Sequence, residues 1–374
     1  MLDLQPFEIA IPDEQLDDLQ RRLESARWPD EVESAGWDYG TPTGYLEELC
    51  GYWREQFDWR AAEHRLNELD HYTTSIDDQL VHFVYGKAER DDAIPLIATH
   101  GWPSTFFELL KLIPRLTAAS DDGPVFDLVI PSIPGYGFSG RPRERYFSAR
   151  VPEIWRKLMK GLGYERFAAH GGDIGGGITA RLGARHSDAA AAIHVTNIYG
   201  SIEGGDPPPS EAEKRYLTEQ QKWLKDGWAY GIMQGSRPQT LGYGLNDSPI
   251  GLAAWIIEKY RAWSDCGGDV ESVFSKDELL TNISIYWFTQ TITSSFRPYF
   301  DTNHNPSPPP WLPIPVPTAV AVFPADIARP PREFAERSYN VVQWTEMPRG
   351  GHFAALEQPD LLAADIRRFF PAVM

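Results

Sequence analysis

The stretch Phe167-Ala168-Ala169-His170-Gly171-Gly172-Asp173-Ile174-Gly175-Gly176-Gly177 carries more information than any other part of this chain. A short apolar run, the pattern of a buried strand, meets an acidic residue ringed by glycines, and a helix-like run follows. Small residues at 171 and 175 let a sharp strand-to-helix turn close without Cβ clashes. Such a turn lifts the side chain at its apex clear of the sheet and presents it as a nucleophile. Serine is the usual apex residue; here it is Asp173. A serine attacks a carbonyl and makes an acyl-enzyme. A carboxylate suits attack on saturated carbon, which gives an alkyl-enzyme ester. The electrophile is then an epoxide, an alkyl halide or something similar. The plainer alternative is an Asp that caps the following helix beside ordinary turn glycines.

Upstream, Pro95-Leu96-Ile97-Ala98-Thr99 reads as a buried strand, and His100-Gly101-Trp102-Pro103 follows it. In the α/β-hydrolase fold, which is built around such an elbow, the loop after the third strand gives one backbone N–H to an oxyanion hole. The residue after the nucleophile gives the other. The expected donors are Trp102 and Ile174. Pro103 fixes the loop direction and has no N–H to offer. Near the C-terminus, Pro348-Arg349-Gly350-Gly351-His352-Phe353 follows the strand-like Asn340-Val341-Val342-Gln343-Trp344. The order of this fold is nucleophile, acid, histidine. Thr318-Ala319-Val320-Ala321-Val322-Phe323 is the strand before the acid, and Pro324-Ala325-Asp326 follows it. Asp326 is therefore expected to hold the His352 imidazole in the right tautomer.

Taken together, these motifs resemble the epoxide hydrolases of the microsomal and juvenile-hormone type, including their soluble microbial members. The resemblance covers nearly the whole chain. Phe7 to Pro12, Leu19 to Leu23 and Ala26-Arg27-Trp28-Pro29 are similar to the N-terminal segment of that branch. Leu245 to Pro249 and Leu279 to Ile283 are similar to its lid. One departure concerns the acid: mammalian microsomal members carry Glu at the place of Asp326, fungal relatives Asp. The resemblance implies an α/β fold with a mostly parallel eight-stranded sheet flanked by helices, an inserted helical lid and an N-terminal meander. It also implies two lid tyrosines, Tyr230 and Tyr299, that hold the epoxide oxygen. Tyrosine fits that task as a neutral donor at pH 7. Water activated by His352 would then hydrolyse the Asp173 ester to a vicinal diol.

Composition sets bounds. The 374 residues suit such a core with inserts, and the 42% hydrophobic share is enough to bury it. A net charge of −18 argues against nucleic acid or an anionic membrane as partner. Cys50 and Cys266 give no disulfide framework, so a reducing compartment is the simpler reading. Met1 to Pro6 lacks the pattern of a signal peptide, and no apolar run approaches the ~20 residues that span a bilayer. The expected location is cytoplasmic. No metal or organic cofactor is expected, since the scattered histidines show no ligand spacing.

Along the chain, residues 1–70 are expected to pack on lid and core. Residues 71–198 form the first part of the core, 199–305 a helical lid, and 306–374 the second part of the core. His71 to Ile76 and Leu80 to Tyr85 alternate like an antiparallel hairpin about Asp77-Asp78. Helical runs are expected at 13–26, 44–57, 210–226, 250–262 and 277–296. Ser139 is no rival nucleophile, because Arg141 breaks the G-x-S-x-G pattern. Two other functions stay open: a haloalkane or haloacid dehalogenase on the same fold, and a silent ligand receptor on this scaffold. Ile174 and Trp102, standing where dehalogenases place halide donors, disfavour the first. Still open are the identity of the epoxide, its stereochemistry and its role in detoxification or secondary metabolism. So is the oligomeric state, a homodimer among the options.

Overall fold

Parallel strands covered on both faces need apolar side chains throughout, so they read as continuous hydrophobic runs. That pattern decides most of this sheet. The computed structural model describes residues 2–118, 123–145, 147–198, 200, 207–304 and 313–374. Its strands are β1 (Gln5–Pro6), β2 (His71–Ile76), β3 (Gln79–Gly86), β4 (Ile94–Thr99), β5 (Phe126–Pro131), β6 (Phe167–Gly171), β7 (Ala190–Val195), β8 (Ile314–Val322) and β9 (Tyr339–Glu346). They lie in the order β1-β2-β3-β5-β4-β6-β7-β8-β9. From β5 to β9 every neighbouring pair is parallel, while β1, β2 and β3 join antiparallel. Leu96, Ile97, Leu128, Val129, Ala168, Ala169 and Ile193 are fully buried in the middle of it.

The sheet has nine strands among the described residues, where eight were expected. The addition is β1, two residues long and ending in proline. Nothing so short shows a period. Proline is harmless there because the strand lies at the sheet edge. The β2–β3 hairpin turns on Asp77 and Asp78, both at positive φ (50° and 63°), the geometry of a type I′ turn.

Residues 207–304 contain helices and no strand among the described residues. Helices Glu211–Asp226 and Lys276–Thr289 each open on a complete capping box, Ser210 with Glu213 and Ser275 with Glu278. The helical run expected over 277–296 breaks at Gln290, which adopts left-handed backbone, and resumes at Ile292–Ser295. The expected junctions at 199 and 305–306 lie outside the described residues, as do residues 307–312. In the N-terminal segment, helices Asp13–Glu24, Thr43–Glu55 and Trp59–Asn67 pack against this helical region. Arg22 pairs with Asp247, and the buried Trp53 Nε1 donates to Ser284 Oγ at 3.1 Å.

In an open parallel sheet, the crevice beyond the carboxyl ends of the strands is where a site forms, at the place where strand order reverses. Here that place is β4, flanked by β5 and β6. Thr99, the last residue of β4, lies beside Gly171, the last of β6.

Candidate active site

Five neighbouring strands end in the residues that build the site. His100–Pro103 follows β4, Asp173 follows β6, Asn197 follows β7, Asp326 follows β8 and His352 follows β9. Parallel register brings these ends together.

The elbow at Asp173 is strained. Its φ is +49°, a conformation that non-glycine residues rarely adopt. Such strain persists only where surrounding structure over-determines it, and here glycines permit the close contacts. A Cβ on Gly175 would lie 2.6 Å from the His100 carbonyl oxygen and nearer still to that of Thr99. A Cβ on Gly101 would lie 2.5 Å from Asp173 Oδ1. The β4 loop and the nucleophile turn therefore touch backbone to backbone. His100 locks that loop: its Nδ1 faces the Gly101 oxygen at 3.1 Å, and its Nε2 accepts the Ile133 N–H at 3.1 Å. Burial pushes the His100 pKa down to about 4, so the ring is neutral and keeps this tautomer.

Asp173 Oδ1 accepts the Trp102 N–H at 2.8 Å, and Oδ2 lies 3.5 Å from His352 Nε2. On its other side, His352 Nδ1 meets Asp326 Oδ1 at 2.7 Å. Asp326 Oδ1 also accepts the Ile327 N–H at 2.7 Å. Burial alone would lower the His352 pKa. The carboxylates of Asp326 and Asp173 outweigh it and hold the imidazole well above its ordinary value. The Ile174 N–H belongs to the first turn of helix Asp173–Arg185, where a helix leaves its N–H groups without intrahelical acceptors.

Tyr230, Tyr299 and Tyr216 line the same cavity as Asp173 and His352, about 1630 Å³ in volume. Tyr230 lies on helix Ala229–Ser236, its ring stacked on Trp102 at 5.1 Å and 10°. Tyr299, on helix Arg297–His304, presents its ring 6.0 Å from both Trp102 and Tyr230. Burial, then the Asp173 charge, raises the Tyr230 pKa well above its ordinary value, against a hydrogen bond with Tyr299 that lowers it. The phenol is a neutral donor at pH 7. The other tyrosines of this region serve elsewhere. Tyr243 is 72% exposed, Tyr260 bonds Ser104 Oγ, and Tyr286 donates to the Ser104 carbonyl.

Three contributors escaped the sequence reading. Asn197 Oδ1 accepts the Asp173 backbone N–H at 2.7 Å, while its Nδ2 donates to Asp326 Oδ2 at 2.9 Å. One amide thus straps the nucleophile turn to the acid. Glu357 accepts N–H groups of Asp265, Gly351 and Phe353, each at 2.9 Å, and so shapes the loop that carries His352. Trp263 accepts the His352 N–H on its carbonyl oxygen at 2.8 Å and sets its ring edge-on at 5.1 Å from the imidazole. For Asn197 a signal existed: it lies two residues beyond a parallel strand, in the crevice row.

Residues 4–109 match the family described as epoxide hydrolase N terminus, and residues 94–251 match the alpha/beta hydrolase fold. Juvenile hormone epoxide hydrolase 2 of Ctenocephalides felis is 36% identical over 97% of this chain and 84% of its own. Epoxide hydrolase 1 of Sus scrofa is 34% identical over 98% of this chain and 88% of its own. The solved structure of Aspergillus niger epoxide hydrolase superimposes with a TM-score of 0.88 at 34% identity, covering 100% of this chain and 97% of that one. A strained aspartate elbow on a mostly parallel sheet, with relatives of this identity over nearly full length, places the chain in the epoxide hydrolase family of the α/β-hydrolase fold.

Proposed function

We propose that this protein converts an epoxide to a vicinal diol through a covalent ester on Asp173. One observation carries the reading: a carboxylate at a strained elbow, with Oδ1 on the Trp102 N–H and Oδ2 facing His352. In the first half-reaction Asp173 attacks an epoxide carbon while Tyr230 and Tyr299 donate hydrogen bonds to the ring oxygen. Tyr230 is buried against the Trp102 ring, and a hydrogen bond from so desolvated a phenol is stronger than one in water. The product is an alkyl ester and an alkoxide that takes up a proton.

Ester formation removes the Asp173 charge. With it goes one of the two carboxylates that hold the His352 pKa up. The imidazole is thereby released toward its neutral form when the second half-reaction needs a base. His352, oriented by Asp326, then accepts a proton from water. The water oxygen attacks the Asp173 carboxyl carbon, the Trp102 and Ile174 N–H groups hold the oxyanion, and the diol departs. One oxyanion donor contributes about 2.7–4 kcal/mol in enzymes where it has been removed. The division into residues 1–70, 71–198, 199–305 and 306–374 belongs to the same proposal, as does a cytoplasmic setting, supported by two unpaired, buried cysteines.

A single turnover in oxygen-labelled water tests the ester. The diol formed first should carry an unlabelled oxygen from Asp173, and the label should enter the carboxylate. Label in the first diol would mean that water attacks the epoxide directly. Release of halide from haloalkanes without turnover of epoxides would favour the dehalogenase alternative.

A further inference from the structure

Behind the nucleophile lies a second, much smaller cavity of about 10 Å³, bordered by Asp173, His352, Gly172, His170, Trp102 and Glu108. Its size matches roughly one water molecule, and its walls are polar enough to hold one. Glu108 is the one acid of this wall that the mechanism above leaves unused. It lies in the 3₁₀ helix Phe106–Leu112, which follows directly on the oxyanion loop and packs against helix Ala354–Glu357, just past His352.

The other glutamate nearby, Glu357, is occupied by three backbone N–H groups. Glu108 has a different setting. Its carboxyl pairs with the hydroxyl of Ser104, which in turn meets Tyr260 OH at 2.9 Å. A half-buried carboxylate therefore borders the same one-water space as His352 and the carboxyl group that becomes the ester.

We propose that Glu108 is a further catalytic residue of the hydrolytic half-reaction, holding the attacking water between His352 Nε2 and the Asp173 carboxyl carbon. The inference rests on the Asp173 ester described above. Water has two O–H bonds. One gives its proton to His352 Nε2, and the other donates a hydrogen bond to the Glu108 carboxylate. That fixes the oxygen lone pair toward the ester carbon. The new bond joins the water oxygen to that carbon. The bond that breaks joins it to the ester oxygen, which leaves on the diol with a proton from the imidazolium.

Burial, opposed by the His352 charge and the Ser104 hydrogen bond and aided by the charges of Asp173 and Glu357, holds the Glu108 carboxyl up at about 7. Alkylation neutralises Asp173 and removes one of those like charges. Glu108 is then more readily ionised at the stage where its charge is used.

The test separates the two half-reactions. Glu108→Gln keeps size and removes charge. A charge-assisted hydrogen bond is roughly twice as strong as a neutral one, so ester hydrolysis should slow about tenfold or more, a difference of about 1.4 kcal/mol. Alkylation, followed by rapid-quench intact mass, should stay within about twofold of wild type, since Tyr230 and Tyr299 serve that step. Alkyl-enzyme should accumulate. Unchanged hydrolysis, or equal slowing of both steps, overturns the proposal. Should Glu108→Gln fail to fold, Glu108→Asp decides: hydrolysis slowed with alkylation intact supports the role, and equal change in both steps overturns it. If His352→Gln, with Glu108 intact, forms no adduct at all, it is the Asp173 ester that fails. If that adduct forms but the Glu108→Gln adduct decays at the wild-type rate, only the Glu108 role fails.

Discussion

At the scale of single residues, the site works by opposing charges held out of water. His352 sits between two carboxylates, and in the proposed reaction ester formation at Asp173 would reset its basicity. The tyrosines face the converse problem. In the proposed ring opening their pKa must stay high enough to keep the proton while their O–H meets a developing alkoxide. Burial and the Asp173 charge keep Tyr230 protonated, and Tyr299 shares its hydrogen bond. In the proposed reaction each phenol supplies one donor, so either alone would stabilise part of the alkoxide charge. Tyr299→Phe or Tyr230→Phe should slow alkylation within the roughly 10²–10⁴-fold range of general acid catalysis, and the double variant should nearly abolish it. Hydrolysis of a preformed ester should change little. Pre-steady-state alkylation rates decide this, and wild-type rates in both single variants would move the acid to Tyr216, another tyrosine that lines the cavity. Asp173 and Asp326 were legible because each follows a strand with a strong apolar pattern, and His352 because it follows a Gly-Gly turn beyond the last strand. Asn197 stands in the same row beyond a parallel strand, but that signal is weak, since a lone asparagine there also looks like a turn former.

At the scale of elements, the elbow is a contact between two backbones, and its glycines are the means. Gly175 faces the carbonyl oxygens of Thr99 and His100, neither of which can retreat without breaking the β4–β6 pairing. Gly175→Ala should therefore cost about 3 kcal/mol or more, at the upper end for overpacking. Denaturant unfolding measures it, and a loss below about 1 kcal/mol would show that β4 can shift, by the scale of ordinary substitutions. The strands around this contact announced themselves by long apolar runs. Helices Ala229–Ser236 and Arg297–His304, which carry Tyr230 and Tyr299, did not. Each is only eight residues, short for a periodic signal, and the first contains two glycines that argue against helix. The solvent face of the first is itself apolar, with Ile232 57% and Met233 47% exposed, so no polar stripe marks it. The two-residue β1 carries no period at all, and its place at the edge depends on the Phe7 N–H reaching the His71 carbonyl at 2.9 Å.

At the scale of the whole molecule, helix Lys276–Thr289 connects the N-terminal segment to the chemistry. One face receives Trp53, whose Nε1 donates to Ser284 Oγ at 3.1 Å. Another reaches the oxyanion loop: Asn282 Nδ2 donates to the Pro103 carbonyl at 2.9 Å, and Tyr286 OH to that of Ser104 at 2.8 Å. Ten consecutive residues of this helix, Leu279 to Phe288, are buried. That explains why its sequence has no amphipathic stripe: a helix surrounded on all sides needs none. The role was hidden for that reason, although the run itself read as helical. If the N-terminal segment is a buttress for this helix, removing its largest anchor should unsettle the entire fold. Trp53 is 1% exposed and lies where the segment meets the helix. Trp53→Ala removes an indole that the surroundings cannot refill, so the expected loss is roughly 3–5 kcal/mol. Unfolding should stay a single transition, because the anchor is shared by both parts. Two separated transitions, with the hydrolase core melting as in wild type, would instead make residues 1–70 an independent appendage. Chemical denaturation followed by tryptophan fluorescence and far-UV circular dichroism distinguishes these outcomes, since coincident curves require one cooperative unit.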